Sequence, residues 1–168
     1  VATRVEFFSL AALNALSSVI PPFIGQNLGA GKIERVSQGF KESRNFSFYV
    51  GGAFFLLYLV LGEEIARLFS GDPTVVSTAA LYLRVVSVAY AAQGLYLVVN
   101  AGLNVLRRPL TAASLGGMEM FALIVPLALL GSHLAGVTGI VTGIALSYAL
   151  TGTVAWFTVN RVVEREAR

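Results

Sequence analysis

The sequence predicts an all-α membrane protein, a single domain over residues 1–168 built from five transmembrane helices. Three observations carry that prediction. Hydrophobic residues make up 56% of the chain, charged residues only 12%, and the mean hydropathy is +0.75; soluble domains average about 25% charged, so the bilayer is the expected solvent. The apolar runs are near or above the ~20 residues that cross ~30 Å of hydrocarbon. They are also continuous, unlike the alternating segments of about ten residues that build a membrane barrel. Finally, the basic residues sort to one side of the spans, as shown below.

Charges and helix breakers set the spans at about 5–28, 46–61, 75–106, 110–130 and 137–159. The first contains Pro21 and Pro22 and stops at Gly29-Ala30-Gly31. The polar segment that follows still has helical spacing at Ile33, Val36 and Phe40, so it is expected to lead unbroken into the second span. Glu63-Glu64 and Gly71-Asp72-Pro73 mark an interfacial turn. The third span ends at Arg107-Arg108-Pro109, the fourth contains Pro126, Gly131 to Gly136 are expected to be a short loop, and the fifth runs into a charged tail.

With the first span ending inside, Lys32, Arg35, Lys41, Arg44, Arg107, Arg108, Arg161, Arg165 and Arg168 fall on the cytoplasmic side, nine of the 12 basic residues. Arg4 and Arg67 fall outside, with Arg84 just inside the outer end of the third span. That is the positive-inside bias, and it places the C-terminus in the cytoplasm of a multi-pass protein of the cell inner membrane. The chain opens on Val1 with no basic region before an apolar stretch, so no signal peptide is visible and a fragment of a longer protein is expected.

Enzymatic constellations are missing from the sequence. There is no cysteine, and the only histidine is His133, in a predicted outer loop, so no metal site, cofactor or nucleic-acid role is expected. The run Gly25 to Lys32 fails as a phosphate loop: the first glycine of that motif would fall on Gln26, and Ile33 replaces the required Ser or Thr. A helix C-terminus closed by glycine explains it better.

In the third span Ser87, Tyr90, Gln93, Tyr96, Asn100 and Asn104 recur at spacings of three and four, a polar stripe on an apolar helix. Such groups are costly in a bilayer unless paired or facing water. Interhelical hydrogen bonds and one wall of a solvated substrate cavity are the two explanations, and the four-turn length favours the cavity. Glu119 is the carboxylate that lies well inside a span, about 10–15 Å from Pro109. It is a candidate for coupling or substrate binding, with a structural ion pair or amide pair as the alternative. A salt bridge among Arg4, Glu6 and Arg84 is expected at the outer face. Gly139 and Gly143 form a GxxxG packing motif in the fifth span.

The run IPPFIGQNLGAGKIERV, Ile20 to Val36, resembles a hallmark of the multidrug and toxic compound extrusion (MATE) family. In that family a Pro-rich helix end, here Pro21 and Pro22, is followed by Gly25-Gln26-Asn27, Gly29 and Gly31, closing the second helix of the C-terminal lobe with a structural or gating role. Arg4-Val5-Glu6, Leu68 to Arg84 and Asn100 to Pro109 follow in the family's order. The resemblance implies two six-helix lobes around a central cavity, of which this chain supplies the eighth to twelfth helices, most of the C-terminal lobe. It implies export of cationic amphipathic drugs driven by Na+ or H+ entry, with the N-terminal lobe as partner. Some Na+-coupled members carry Asp where this chain has Gln93, and the family often has Arg where this chain reads Met118-Glu119-Met120.

The alternatives are a lipid-linked oligosaccharide flippase of the same superfamily, which would line its cavity with basic residues, and a non-transporting membrane subunit. With the other lobe absent, the polar stripe is expected to be left against lipid, and the chain alone is expected not to transport.

Overall fold

The computed structural model describes residues 2–167, and these are helical almost throughout. Helix α1 spans Ala2–Gly29 and stays helical through Pro21 and Pro22. Its end is a Schellman motif: Lys32 N–H donates to Asn27 C=O at 2.8 Å, Gly31 N–H to Leu28 C=O at 3.0 Å, and Gly31 takes φ +69°. The glycine-closed helix end is therefore the correct account of that run. Helix α2, Ile33–Arg67, is unbroken, so the polar segment and the second apolar run form one rod.

Asp72 caps the next helix, accepting from the N–H groups of Thr74 at 2.8 Å and Val75 at 3.3 Å, with Pro73 at its first position. Helix α3 covers Pro73–Val86, a 3₁₀ turn covers Ser87–Ala89, and α4 covers Tyr90–Val105. The expected third span is thus two helices joined at a tightened turn. A second Schellman motif closes α4, with Arg108 N–H on Leu103 C=O at 2.9 Å and Arg107 in the left-handed position at φ 57°.

Helix α5, Pro109–Gly117, widens into a π-helix at Met118–Ile124 and continues as α6, Val125–Glu166. Among the described residues, four helical stretches are long and apolar enough to cross a membrane, the last being Pro109–Glu166. Its 58 residues would measure about 87 Å if straight. It folds back instead at Ala135 and Gly136, whose backbone is non-helical, Gly136 at φ 55°. Gly131 and Gly139 then meet backbone to backbone, and a Cβ on Gly143 would lie 2.6 Å from Leu127 C=O. The predicted Gly131–Gly136 loop is therefore corrected: helix persists to Leu134, and two residues make the reversal. The glycines read as a packing motif are what let the two legs touch.

Helix α4 is the centre of the bundle, packed on by α1, α2 and α6. Gly51 of α2 and Gly152 of α6 press against Ala91 and Ala92 at its start. Outward faces carry Phe48, Leu56, Val60, Phe121, Leu129 and Phe157, all exposed, as a lipid-facing surface requires.

Candidate functional site

The polar stripe points into the bundle. Tyr90, Gln93 and Tyr96 are 0%, 7% and 8% exposed, and Ser87 is buried too. The expectation that the stripe would be left against lipid is corrected. Because α4 is enclosed on three sides by this chain's own helices, its polar face is covered without the other lobe.

The stripe also divides. Ser87 and Asn104 bond back to their own helix, Ser87 Oγ donating to Arg84 C=O at 3.2 Å and Asn104 Nδ2 to Asn100 C=O at 2.9 Å, and Asn104 is exposed. Tyr90 joins a separate aromatic cluster. Gln93, Tyr96 and Asn100 face the α5–π segment. Asn100 Nδ2 donates to Ala112 C=O at 3.1 Å and to Tyr96 Oη at 3.3 Å. Gly116 leaves room for the Tyr96 hydroxyl, since a Cβ there would lie 3.2 Å from it.

Glu119 completes this group. It is 8% exposed, sits in the first turn of the π-helix, and lies beside Gln93 and Tyr96. π-Helical turns are rare and concentrate at functional sites. Glu119 has no basic partner: the ion pairs among the described residues are Arg67–Glu63 at 2.7 Å, Arg67–Glu64 at 3.3 Å and Arg108–Glu166 at 3.5 Å, all at helix ends. Glu119 Oε1 and Gln93 Oε1 are both buried with no hydrogen-bond partner among the described residues. Two orphaned acceptors beside each other, one a carboxylate, suit a ligand that donates hydrogen bonds or carries positive charge.

The expected Arg4–Glu6–Arg84 salt bridge does not form. Glu6 is buried and accepts from Tyr82 Oη at 2.5 Å, while Arg4 is exposed and Arg84 packs along Gly62. Glu119 is therefore not alone inside the bundle. Asn14 was also missed: it lies mid-helix on the exposed face of α1 with Ser18, bonding only within its own helix. An amide half-way along an apolar helix was the signal available for it.

The motif residues Pro21, Pro22, Gly25, Gln26, Asn27, Gly29 and Gly31 lie apart from Glu119, at the end of α1. There Gly25 faces Val105 of α4 and Asn27 Nδ2 donates to Phe23 C=O at 2.8 Å. An open groove of about 730 Å³ runs between α1 and α2, lined in part by Val19, Phe23, Gln38, Glu42 and Tyr49. It includes neither interior carboxylate.

The MatE family model matches residues 1–130. The chain belongs to the MatE family. It is 32% identical over 162 residues to the FAD transporter of Shewanella oneidensis, a match that covers 96% of this chain and 36% of that protein. Its fold superposes on the Vibrio cholerae MATE transporter VcmN in its bent form with a TM-score of 0.94 at 26% identity, covering 98% of this chain and 38% of VcmN. A multidrug resistance MATE family transporter of the MOP superfamily in an inward-facing conformation gives a TM-score of 0.90 at 14% identity, covering 98% and 39%, which supports the fold. This MATE chain thus spans less than two fifths of the length of these relatives. It is a membrane-embedded, all-α chain of a transporter family.

Proposed function

We propose that the chain is the C-terminal lobe of a secondary active exporter that expels cationic amphipathic compounds in exchange for Na+ or H+. The observation that carries this reading is the orphaned pair of acceptors at Glu119 and Gln93, buried without a cation beside them. A positive group entering there gains a charge-assisted hydrogen bond in a medium of low dielectric. Tyr96 supplies an aromatic face and Asn100 holds its hydroxyl in place.

The exposed face of α1, with Asn14 and Ser18 at mid-span, supports a central cavity against a second lobe. An amide is costly against lipid and inexpensive against water or protein. The basic residues clustered at one end of the bundle support a cytoplasmic C-terminus in the cell inner membrane.

A second reading, a flavin dinucleotide as cargo, is favoured by the resemblance to the Shewanella FAD transporter. Its pyrophosphate would call for cationic groups, and among the described residues Arg84 is the basic side chain with a buried, unpartnered nitrogen. The interior acids favour the cationic cargo. The test is uptake into proteoliposomes holding the full-length protein under an imposed pH or Na+ gradient, with a fluorescent cationic dye and with FAD. Gradient-driven movement of the dye supports the cation reading; movement of FAD without the dye replaces it with the second.

A further inference from the structure

The second interior carboxylate, Glu6, has surroundings unlike those of Glu119. It lies level with Tyr82, nine residues from the start of α3 at Pro73, hence about 13 Å inward from that end of the bundle. It is 6% exposed. Around it is an apolar core containing Val5, Leu13, Leu83 and Val86.

Four neighbouring helices contribute tyrosines to this cluster. Tyr82 of α3 donates to Oε2 of Glu6 at 2.5 Å. Tyr58 of α2, which shares a hydrogen bond with Ser9 one turn on from Glu6, Tyr90 of α4 and Tyr148 of α6 lie in the same apolar cluster as Tyr82. Tyr58 and Tyr90 meet edge to face, with ring centroids 6.4 Å apart. Among the described residues no basic group answers the acid: none of their three ion pairs includes Glu6, and Arg84, on the same helix as Tyr82, forms no ion pair with it. Glu6 Oε1 and the Tyr90 hydroxyl are buried with no partner among the described residues.

We propose that Glu6 and its tyrosine cage form a proton-binding site of the lobe, separate from the Glu119 site. Binding adds H+ from water to Oε1 of the carboxylate, giving a neutral carboxylic acid whose Oε2 still accepts from Tyr82; release reverses that step, and no other bond changes. An ionised carboxylate held by one hydrogen bond and no cation is expensive to keep away from water, so the proton leaves when the cage opens and returns when it closes.

The backbone selects a proton over a metal cation. Sodium sites inside membranes draw on carbonyls freed by unwound helices. Here α1, α2 and α3 are continuous through Glu6, Tyr58 and Tyr82, so their carbonyls are committed to the helices. A proton needs one oxygen.

The cage is also a joint. Glu6–Tyr82 ties α1 to α3, and Ser9–Tyr58 ties α1 to α2. Release of the proton therefore bears on how α1 seats against its neighbours. The site's place in an exchange cycle rests on the exporter reading; its titration does not.

Infrared difference spectra of the purified full-length protein, acid minus alkaline, test the titration directly. The expected result is a carbonyl band of a buried protonated carboxyl that is absent in Glu6→Gln and retained in Glu119→Gln. Tyr82→Phe, which keeps the ring, should shift that band's frequency, because the hydrogen bond to Oε2 is gone. The proposal is overturned if no band is lost in Glu6→Gln, or if the band is unmoved in Tyr82→Phe. It is also overturned if added Na+ at fixed pH abolishes the band, which would mark a metal-cation site. Dye transport lost in a protein that keeps the band would count against the exporter reading and leave the proton site standing.

Discussion

The bundle holds two buried carboxylates, and their surroundings differ in kind. Glu6 lies where α1, α2 and α3 run unbroken, in a cluster of tyrosines and aliphatic side chains from four neighbours, with the 3₁₀ turn Ser87–Ala89 at its Tyr90 edge. Glu119 lies on a widened helical turn beside two amides and one tyrosine. The first environment is a packed core into which an acid has been set. The second is a polar pocket with acceptors to spare. Burial and an unmatched carboxylate oxygen are thus common to both sites; the neighbouring amides and the widened backbone turn set the Glu119 pocket apart.

Substitutions separate the two environments. The largest effect is expected at Tyr90, fully buried in the tyrosine cage. Tyr90→Ala should cost about 3–5 kcal/mol, read as a large fall in the thermal unfolding midpoint in detergent. Tyr90→Phe should stay within about 1 kcal/mol of the parent or exceed it, because the hydroxyl it removes has no partner. Tyr82→Phe should cost about 2 kcal/mol by leaving Glu6 without its donor.

At the other site, Asn100→Ala should cost about 1 kcal/mol, since its amide braces Tyr96 and Ala112 across the α4–α5 contact. Equal losses at Asn100 and Tyr90 would erase the distinction between pocket and core. At the helix ends Arg107→Gly should gain about 1 kcal/mol by removing a Cβ from the left-handed position. Arg108→Ala should change stability by less than about 0.5 kcal/mol, its pair with Glu166 being solvent-exposed.

The helical bundle was legible because apolar runs of spanning length survive in any reading frame of packing. The reversal at Ala135 and Gly136 was less so: with 17 glycines in the chain, nothing local marks which one takes a positive φ. Spacing placed Tyr90, Gln93, Tyr96 and Asn100 on one helical face but could not say which way that face points. Direction depends on α4 being the central helix, which is a property of the whole packing. Glu119 stood out as an acid deep in an apolar run, whereas its π-turn has no periodic signature. Glu6 was assigned to an outer salt bridge and not to the interior for a different reason. It sits near a span end by count, and the residues that enclose it, Tyr58, Tyr82, Tyr90 and Tyr148, come from four other helices.

Orientation has its own check. Cysteines placed at Lys41, exposed on α2, and at Ser70 should label from opposite sides of the membrane, and labelling from the same side would overturn the assigned topology.

Glu119 is the residue on which the ligand site depends. Export of a cationic dye by cells carrying the full-length protein should fall on the order of tenfold or more in Glu119→Gln, the loss of one charge-assisted contact, with the protein present in the membrane at its usual level. Unchanged export at equal protein level would contradict the assignment of the ligand site to the Gln93–Glu119 pocket.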